Sequence, residues 1–159
     1  MNVRIFAMSP DDLPEALELW RRTAGIGLNE SDTLPRLANY LQRNPGLSRV
    51  ARADTSGDAR AVLMGAVLCG YDGRRGYLHH LAVDENYRRR GIGRALVAEC
   101  LAALARLDIT RCNIFLFSDN AEGEAFWISG GWRRRGELCL LQRETLPTLG
   151  DSTRLDGAC

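Results

Sequence analysis

The chain contains no lysine: every one of its 21 basic residues is arginine, set against 20 acids for a formal net charge of +1. A balance so near zero supplies no general attraction to nucleic acid or to an anionic membrane surface, and neither is expected as a partner. The lysine gap has two readings: the coding bias of a GC-rich genome, or avoidance of self-modification by an enzyme that modifies amines. Long apolar runs are also missing. None approaches the ~18 residues of a membrane span, and Met1 to Phe6 lacks the apolar core of a secretory leader. The five cysteines are odd in number and include no Cys-x-x-Cys pair, which argues against a disulfide framework. Most of them sit in apolar runs, as free thiols of a reducing cytoplasm do. No metal is expected.

At 159 residues the chain predicts one domain, residues 1–145, followed by a polar, turn-rich tail at 146–159. A domain of this size buries about 68–70% of its unfolded surface and needs no covalent staple. Val3 to Ala7 alternates apolar and polar residues and reads as a first strand. Ser9-Pro10-Asp11-Asp12 is a helix start, with Leu13, Leu17 and Trp20 recurring at helical spacing and Gly25 or Gly27 ending the segment. A second helix is predicted over 32–43, closed by Asn44-Pro45-Gly46. Strands follow at 47–53, 61–71 and 77–83, the first two joined by a turn at 54–58. An alanine- and leucine-rich helix is predicted over 94–107. The nearly continuous apolar stretch 112–117 reads as a strand covered on both faces. A short helix over 120–129 ends at Gly130-Gly131, and 132–135 with 138–142 form a last pair of strands. This order predicts a mixed α/β fold, with one mostly antiparallel sheet flanked by about four helices.

The most informative stretch is Leu81-Ala82-Val83-Asp84-Glu85-Asn86-Tyr87-Arg88-Arg89-Arg90-Gly91-Ile92-Gly93-Arg94. An apolar strand enters a basic, glycine-bearing turn that opens directly into a helix. Such a turn presents unpaired N–H groups and the positive end of the helix dipole, which is the physics of a phosphate site. Glycine at 91 and 93 permits close backbone approach.

These residues resemble the GCN5-related N-acetyltransferase family, over roughly residues 63–142. Arg88, Gly91 and Gly93 match the family's Arg/Gln-x-x-Gly-x-Gly/Ala turn, which binds the pyrophosphate of coenzyme A. Leu81-Ala82-Val83 matches the strand that pairs with the pantetheine arm. Asn120-Ala121-x-x-x-Ala125-Phe126-Trp127-x-x-x-Gly131-Trp132 matches a second family segment. Gly70-Tyr71-Asp72-Gly73-x-Arg75-Gly76 further resembles a bacterial, YpeA-like subgroup of uncharacterised acetyltransferases. The resemblance implies the single-domain acyl-CoA N-acyltransferase fold. It also implies direct transfer of acetyl from acetyl-CoA, as co-substrate, to a primary amine in a ternary complex. One position departs from the family: a frequent tyrosine, proposed to protonate the leaving thiolate, is Trp127, whose indole N–H is no acid at neutral pH. A non-catalytic acyl-CoA-binding sensor is therefore the alternative reading.

The resemblance assigns cofactor contacts to Leu81, Ala82, Val83, Arg88, Arg89, Arg90, Gly91, Ile92, Gly93, Arg94, Asn120, Phe126 and Trp127, with the amides of Arg89 to Arg94 as principal donors. Backbone N–H groups near Val83, exposed where two strands splay at a bulge, would polarise the thioester carbonyl. His79 and His80 are the only histidines. Strict alternation puts Tyr77, His79 and Leu81 on one face and sends His80 beneath the central helix. His79 is the candidate general base, a role the resemblance supports, and a packed sheet histidine is the competing reading. Asp72, Tyr77 and Trp20 are weaker candidates for acceptor contacts, against ordinary turn and core roles. A monomer or a homodimer fits equally.

Overall fold

The computed structural model describes residues 2–53 and 61–146. The predicted turn at 54–58 and nearly all of the predicted tail lie outside the described residues. Five strands form one sheet in sequence order: β1 (Val3–Ala7), β2 (Arg49–Ala53), β3 (Leu63–Tyr71), β4 (Gly76–Val83) and β5 (Cys112–Ile114). Pairing is antiparallel from β1 to β4 and parallel between β4 and β5. The helices are α1 (Leu13–Arg22), α2 (Leu34–Arg43), α3 (Ile92–Ala105) and α4 (Ala121–Ser129).

β3 is the strand covered on both faces. Leu63 to Gly70 are all buried, and alternate side chains enter two separate cores. Met64, Val67 and Cys69 pack with Leu78 against Leu96, Cys100 and Leu104 of α3. Leu63, Ala66 and Leu68 pack on the opposite face against Leu13, Leu17 and Trp20 of α1 and Leu37 and Leu41 of α2. Each fully buried side chain of leucine size contributes about 1.5–3 kcal/mol, so the two helical layers hold the sheet from both sides.

The start of α1 follows its sequence signal. The Ser9 amide donates to Asp12 Oδ2 at 2.8 Å in a reciprocal cap, Pro10 opens a 3₁₀ turn, and α1 continues from Leu13. Asp12 then serves a second purpose. Arg52 of β2 reaches Asp12 Oδ1 at 2.6 Å, Glu15 Oε2 at 3.2 Å and the Ala61 carbonyl at 2.7 Å, tying α1 to the sheet. Burial works against ionisation of Asp12, but the Ser9 amide and the Arg52 guanidinium outweigh it and hold the carboxyl below its usual value.

Two expectations from sequence are corrected. Residues 112–117 are not a strand covered on both faces: β5 ends at Ile114, and Phe115, Leu116 and Phe117 are exposed. β5 pairs with β4 alone, so one edge has no covering strand among the described residues. Residues 132–135 and 138–142 form no strands. The Leu138 amide turns back onto the Arg135 carbonyl at 3.1 Å, and Arg135 pairs with Glu137 two residues away. Local pairing bends the chain where an extended ladder was expected, and Leu138, Leu140 and Leu141 stay exposed.

Replacing Arg52 with methionine removes the guanidinium that pairs with Asp12 and with the Ala61 carbonyl, leaving Asp12 only its Ser9 contacts. Urea unfolding of R52M is expected to show a lower midpoint at unchanged slope, equivalent to a loss of about 1.5–3 kcal/mol.

Candidate active site

β4 pairs with β5 only through Gly76, Tyr77 and Leu78; beyond the Leu78–Ile114 pair the two strands separate, while β4 stays bonded to β3 as far as Val83. The gap opens a cavity of about 980 Å³. It runs from the α3 turn, past β4, to the loop joining α1 and α2.

A bulge in β4 shapes the middle of this cavity. Val67 of β3 faces two residues, His80 and Leu81, where regular pairing would allow one. His80 has φ +55°, a left-handed conformation that costs a non-glycine residue about 1–3 kcal/mol. The alternation expected from sequence fails here. Leu81 packs with the α3 core and does not share a face with Tyr77 and His79. His80 does not lie beneath α3; its ring meets Trp20 of α1 at 5.3 Å, and its Nε2 lies 2.7 Å from Asp32 Oδ1. An extra residue in one strand reverses the facing of everything after it.

At the other end, Asp84 caps a 3₁₀ turn at Glu85–Tyr87 by accepting from the Asn86 amide at 3.0 Å, and it also pairs with Arg22 of α1. Arg89 (φ +60°) and Gly91 (φ +78°) take left-handed conformations, and α3 begins at Ile92. Nothing crowds a β-carbon built at Gly91, so its glycine answers to backbone conformation and not to space. The amides of Arg89 to Arg94 make no hydrogen bond among the described residues; the first helical bond of α3 is from Ala95 to the Gly91 carbonyl at 3.0 Å. Two arginines of the turn are engaged locally. Arg88 Nε donates to the Val83 carbonyl at 3.1 Å, and Arg90 donates to the Asn86 carbonyl at 3.3 Å with its guanidinium over the Tyr87 ring.

Of the residues singled out from sequence, His79, Leu81 to Val83, Arg88, Arg89 and Gly91 to Arg94 all line this cavity, as do Asn120, Phe126 and Trp127. Arg90, Asp72, Tyr77 and Trp20 do not. Asp72 accepts from the amides of Arg74 and Arg75, both at 2.8 Å, and from the Tyr77 hydroxyl at 3.3 Å. Trp20 is fully buried and its indole nitrogen has no hydrogen-bond partner. Asn120 caps α4 by accepting from the Gly123 amide at 2.8 Å. Trp127 is held between the rings of Phe126 at 5.1 Å and Trp132 at 4.9 Å.

Sequence reasoning missed the α1–α2 loop. Thr23 to Gly27 and Asn29 line the cavity. A β-carbon at Gly25 would strike the Asn120 amide at 2.6 Å, and one at Gly27 would strike the Phe117 ring at 2.7 Å. The Gly-x-Gly spacing at 25–27 is the available signal, and as a helix end alone it does not point to the cavity.

A sequence profile of the Acetyltransferase (GNAT) family matches residues 13–131. An acetyltransferase of Sodalis glossinidius is 30% identical over 120 residues, covering 76% of this chain and 78% of that protein. One from Yersinia pseudotuberculosis is likewise 30% identical, over 76% of this chain and 79% of its own. Among solved structures, Ard1 from Thermoplasma volcanium superposes with a TM-score of 0.70 at 19% identity, covering 82% of each chain. PaiA N-acetyltransferase from Thermoplasma acidophilum, solved with coenzyme A, gives 0.69 at 22% identity, over 81% of this chain and 88% of its own. The chain belongs to the GNAT family and is an acetyl-CoA-dependent N-acetyltransferase.

His79 is packed among Tyr40, Tyr77 and Phe115, with ring centroids 6.0–6.4 Å away. Burial, and then the neighbouring His80, push its pKa below the ordinary 6.5. A histidine whose pKa is lowered by folding binds fewer protons folded than unfolded. Folded-state stability is therefore intact above about pH 6.5 and declines as pH falls below it. His79→Phe is expected to flatten that acid limb, measured as thermal midpoint between pH 7.5 and 5.

Proposed function

We propose that acetyl-CoA lies along this cavity, with its pyrophosphate on the α3 turn and its pantetheine arm beside Leu81, Ala82 and Val83. A primary amine then enters from the α1–α2 loop. The observation that carries this reading is the run of unpaired amides from Arg89 to Arg94 at the head of α3, bordering the same cavity as the open edge of β4. Such amides, with the helix dipole, bind a diphosphate without any particular side chain. Arg89 and Arg94 add charge at the cavity wall. Asn120, Phe126 and Trp127 flank the arm from α4.

The reaction is direct attack of a neutral amine on the thioester, with both partners held in line and water excluded. Amides near Val83 polarise the acetyl carbonyl. The thiolate is a tolerable leaving group and departs without a dedicated acid, consistent with tryptophan at 127. A histidine of β4 receives the amine proton, His79 being the candidate drawn from sequence. Asp72 and Tyr77, bonded to one another at the β3–β4 connection, are outlying contacts for an acceptor that extends beyond the cleft.

Isothermal titration tests the cofactor site. Coenzyme A is expected to bind one to one. Gly91→Ala, whose β-carbon disfavours the left-handed backbone by about 1–2 kcal/mol, is expected to weaken binding about tenfold. Arg89→Ala should cost more affinity than Arg90→Ala, because Arg90 is already engaged by Asn86 and Tyr87. No measurable affinity for coenzyme A would end this reading. Tight binding without thiol release from acetyl-CoA across an amine panel would favour the sensor instead.

A further inference from the structure

Two histidines border the cleft, and their surroundings differ. His79 is enclosed by three aromatic rings and has no hydrogen-bond partner among the described residues. His80 stands at the bulge, in a strained left-handed conformation, with its Nε2 2.7 Å from Asp32 Oδ1. Asp32 comes from the α1–α2 loop and is itself fixed. Its Oδ2 accepts from the Asn29 amide at 2.9 Å, its own amide donates to the Asn29 carbonyl at 3.0 Å, and its side chain is 9% exposed. A carboxylate oxygen only accepts, so the ring hydrogen of neutral His80 resides on Nε2 and the lone pair on Nδ1. Nδ1 has no partner among the described residues, and His80 lines the cavity beside the proposed thioester position.

We propose that His80, oriented by Asp32, is the catalytic residue that takes the proton of the attacking amine through Nδ1. The inference rests on the acetyl-transfer reading above and deepens it. The amine nitrogen bonds to the acetyl carbon, the carbon–sulfur bond breaks, and its electron pair leaves on sulfur as the thiolate of coenzyme A. The nitrogen's proton passes to Nδ1. The resulting imidazolium is paired with Asp32 and then returns the proton to the thiolate or to water. Asp32 is a positioning residue: it sets the tautomer and the ring's direction. The titratable groups facing His80 are Asp32 from the loop and His79 from its own strand, while α1 presents the uncharged Trp20.

The experiment compares His80→Asn, His79→Asn and Asp32→Asn with the unaltered protein. Asparagine tolerates the left-handed backbone at 80 and cannot accept the proton. Each is assayed by thiol release from acetyl-CoA with the best acceptor among spermidine, tyramine, kanamycin and a methionine-initiated tetrapeptide. His80→Asn is expected to lower kcat by about 10²–10⁴-fold, to leave coenzyme A affinity within about twofold, and to remove the acid limb of the kcat/KM pH profile. Its loss should exceed that of His79→Asn by at least about tenfold. Asp32→Asn should lower kcat with little change in the KM for acetyl-CoA. Nitrogen-15 imidazole spectra of the unaltered protein loaded with coenzyme A provide a readout independent of turnover: neutral His80 should carry its hydrogen on Nε2. A hydrogen on Nδ1, a retained acid limb in His80→Asn, or a larger loss in His79→Asn overturns the proposal. Absence of coenzyme A binding would instead strike the acetyl-transfer reading on which it rests.

Discussion

Everything at the cleft depends on a single mismatch in the pairing of β4. The strand is bonded to β3 to its end at Val83, but to β5 over only three residues. Its remaining edge therefore faces open space, with backbone groups that a ladder would otherwise consume. Buried strands rarely leave such groups unpaired, because each orphan costs free energy. Here the loss is localised and framed by two packed cores. α3 holds one face of the sheet, and α1 with α2 holds the other. Packing pins β3 from both sides, and β3 in turn holds β4 in the register that leaves the gap.

Strain is placed where that gap is. Two of the three described non-glycine residues with positive φ, His80 and Arg89, border the cavity. One sits at the bulge that turns β4, the other in the turn that feeds α3. Both are tied to α1: His80 by its contact with Trp20, and the turn before Arg89 by Asp84, which caps it and pairs with Arg22. The loop after α1 then crosses to the far wall, with Gly25 against Asn120 and Gly27 against Phe117. A helix on one face of the sheet is thus coupled to both ends of a cleft that opens through it.

Much of this was legible in the residues. The helix starts at Ser9-Pro10 and Asn120, the hydrophobic periodicity of α1 and α2, and the glycine turn before α3 are local signals, and local chemistry carried them into the structure. The turn was the clearest. Its amides are unpaired because a helix cannot satisfy its own first N–H groups, whatever surrounds it. The errors were of another kind. The apolar stretch at 112–117 looks like a covered strand, but being covered depends on what packs beside it, and Phe115 to Phe117 are exposed. The stretch at 138–142 is apolar enough for a strand, yet a turn at Arg135 to Leu138 and the Arg135–Glu137 pair redirect it.

The histidines show the same division most plainly. The amino-acid order alone determined that two imidazoles lie side by side on the strand entering a glycine-bearing turn at the head of a helix, because both features are encoded within fifteen consecutive residues. Only the tertiary structure decided which way they point. The bulge that turns His80 toward Trp20 and Asp32 arises from how β4 registers against β3, a relation between segments that no single segment contains. Asp32 lies 48 residues from His80 along the chain, and the packing of α1 and α2 on the sheet brings the two within hydrogen-bond reach.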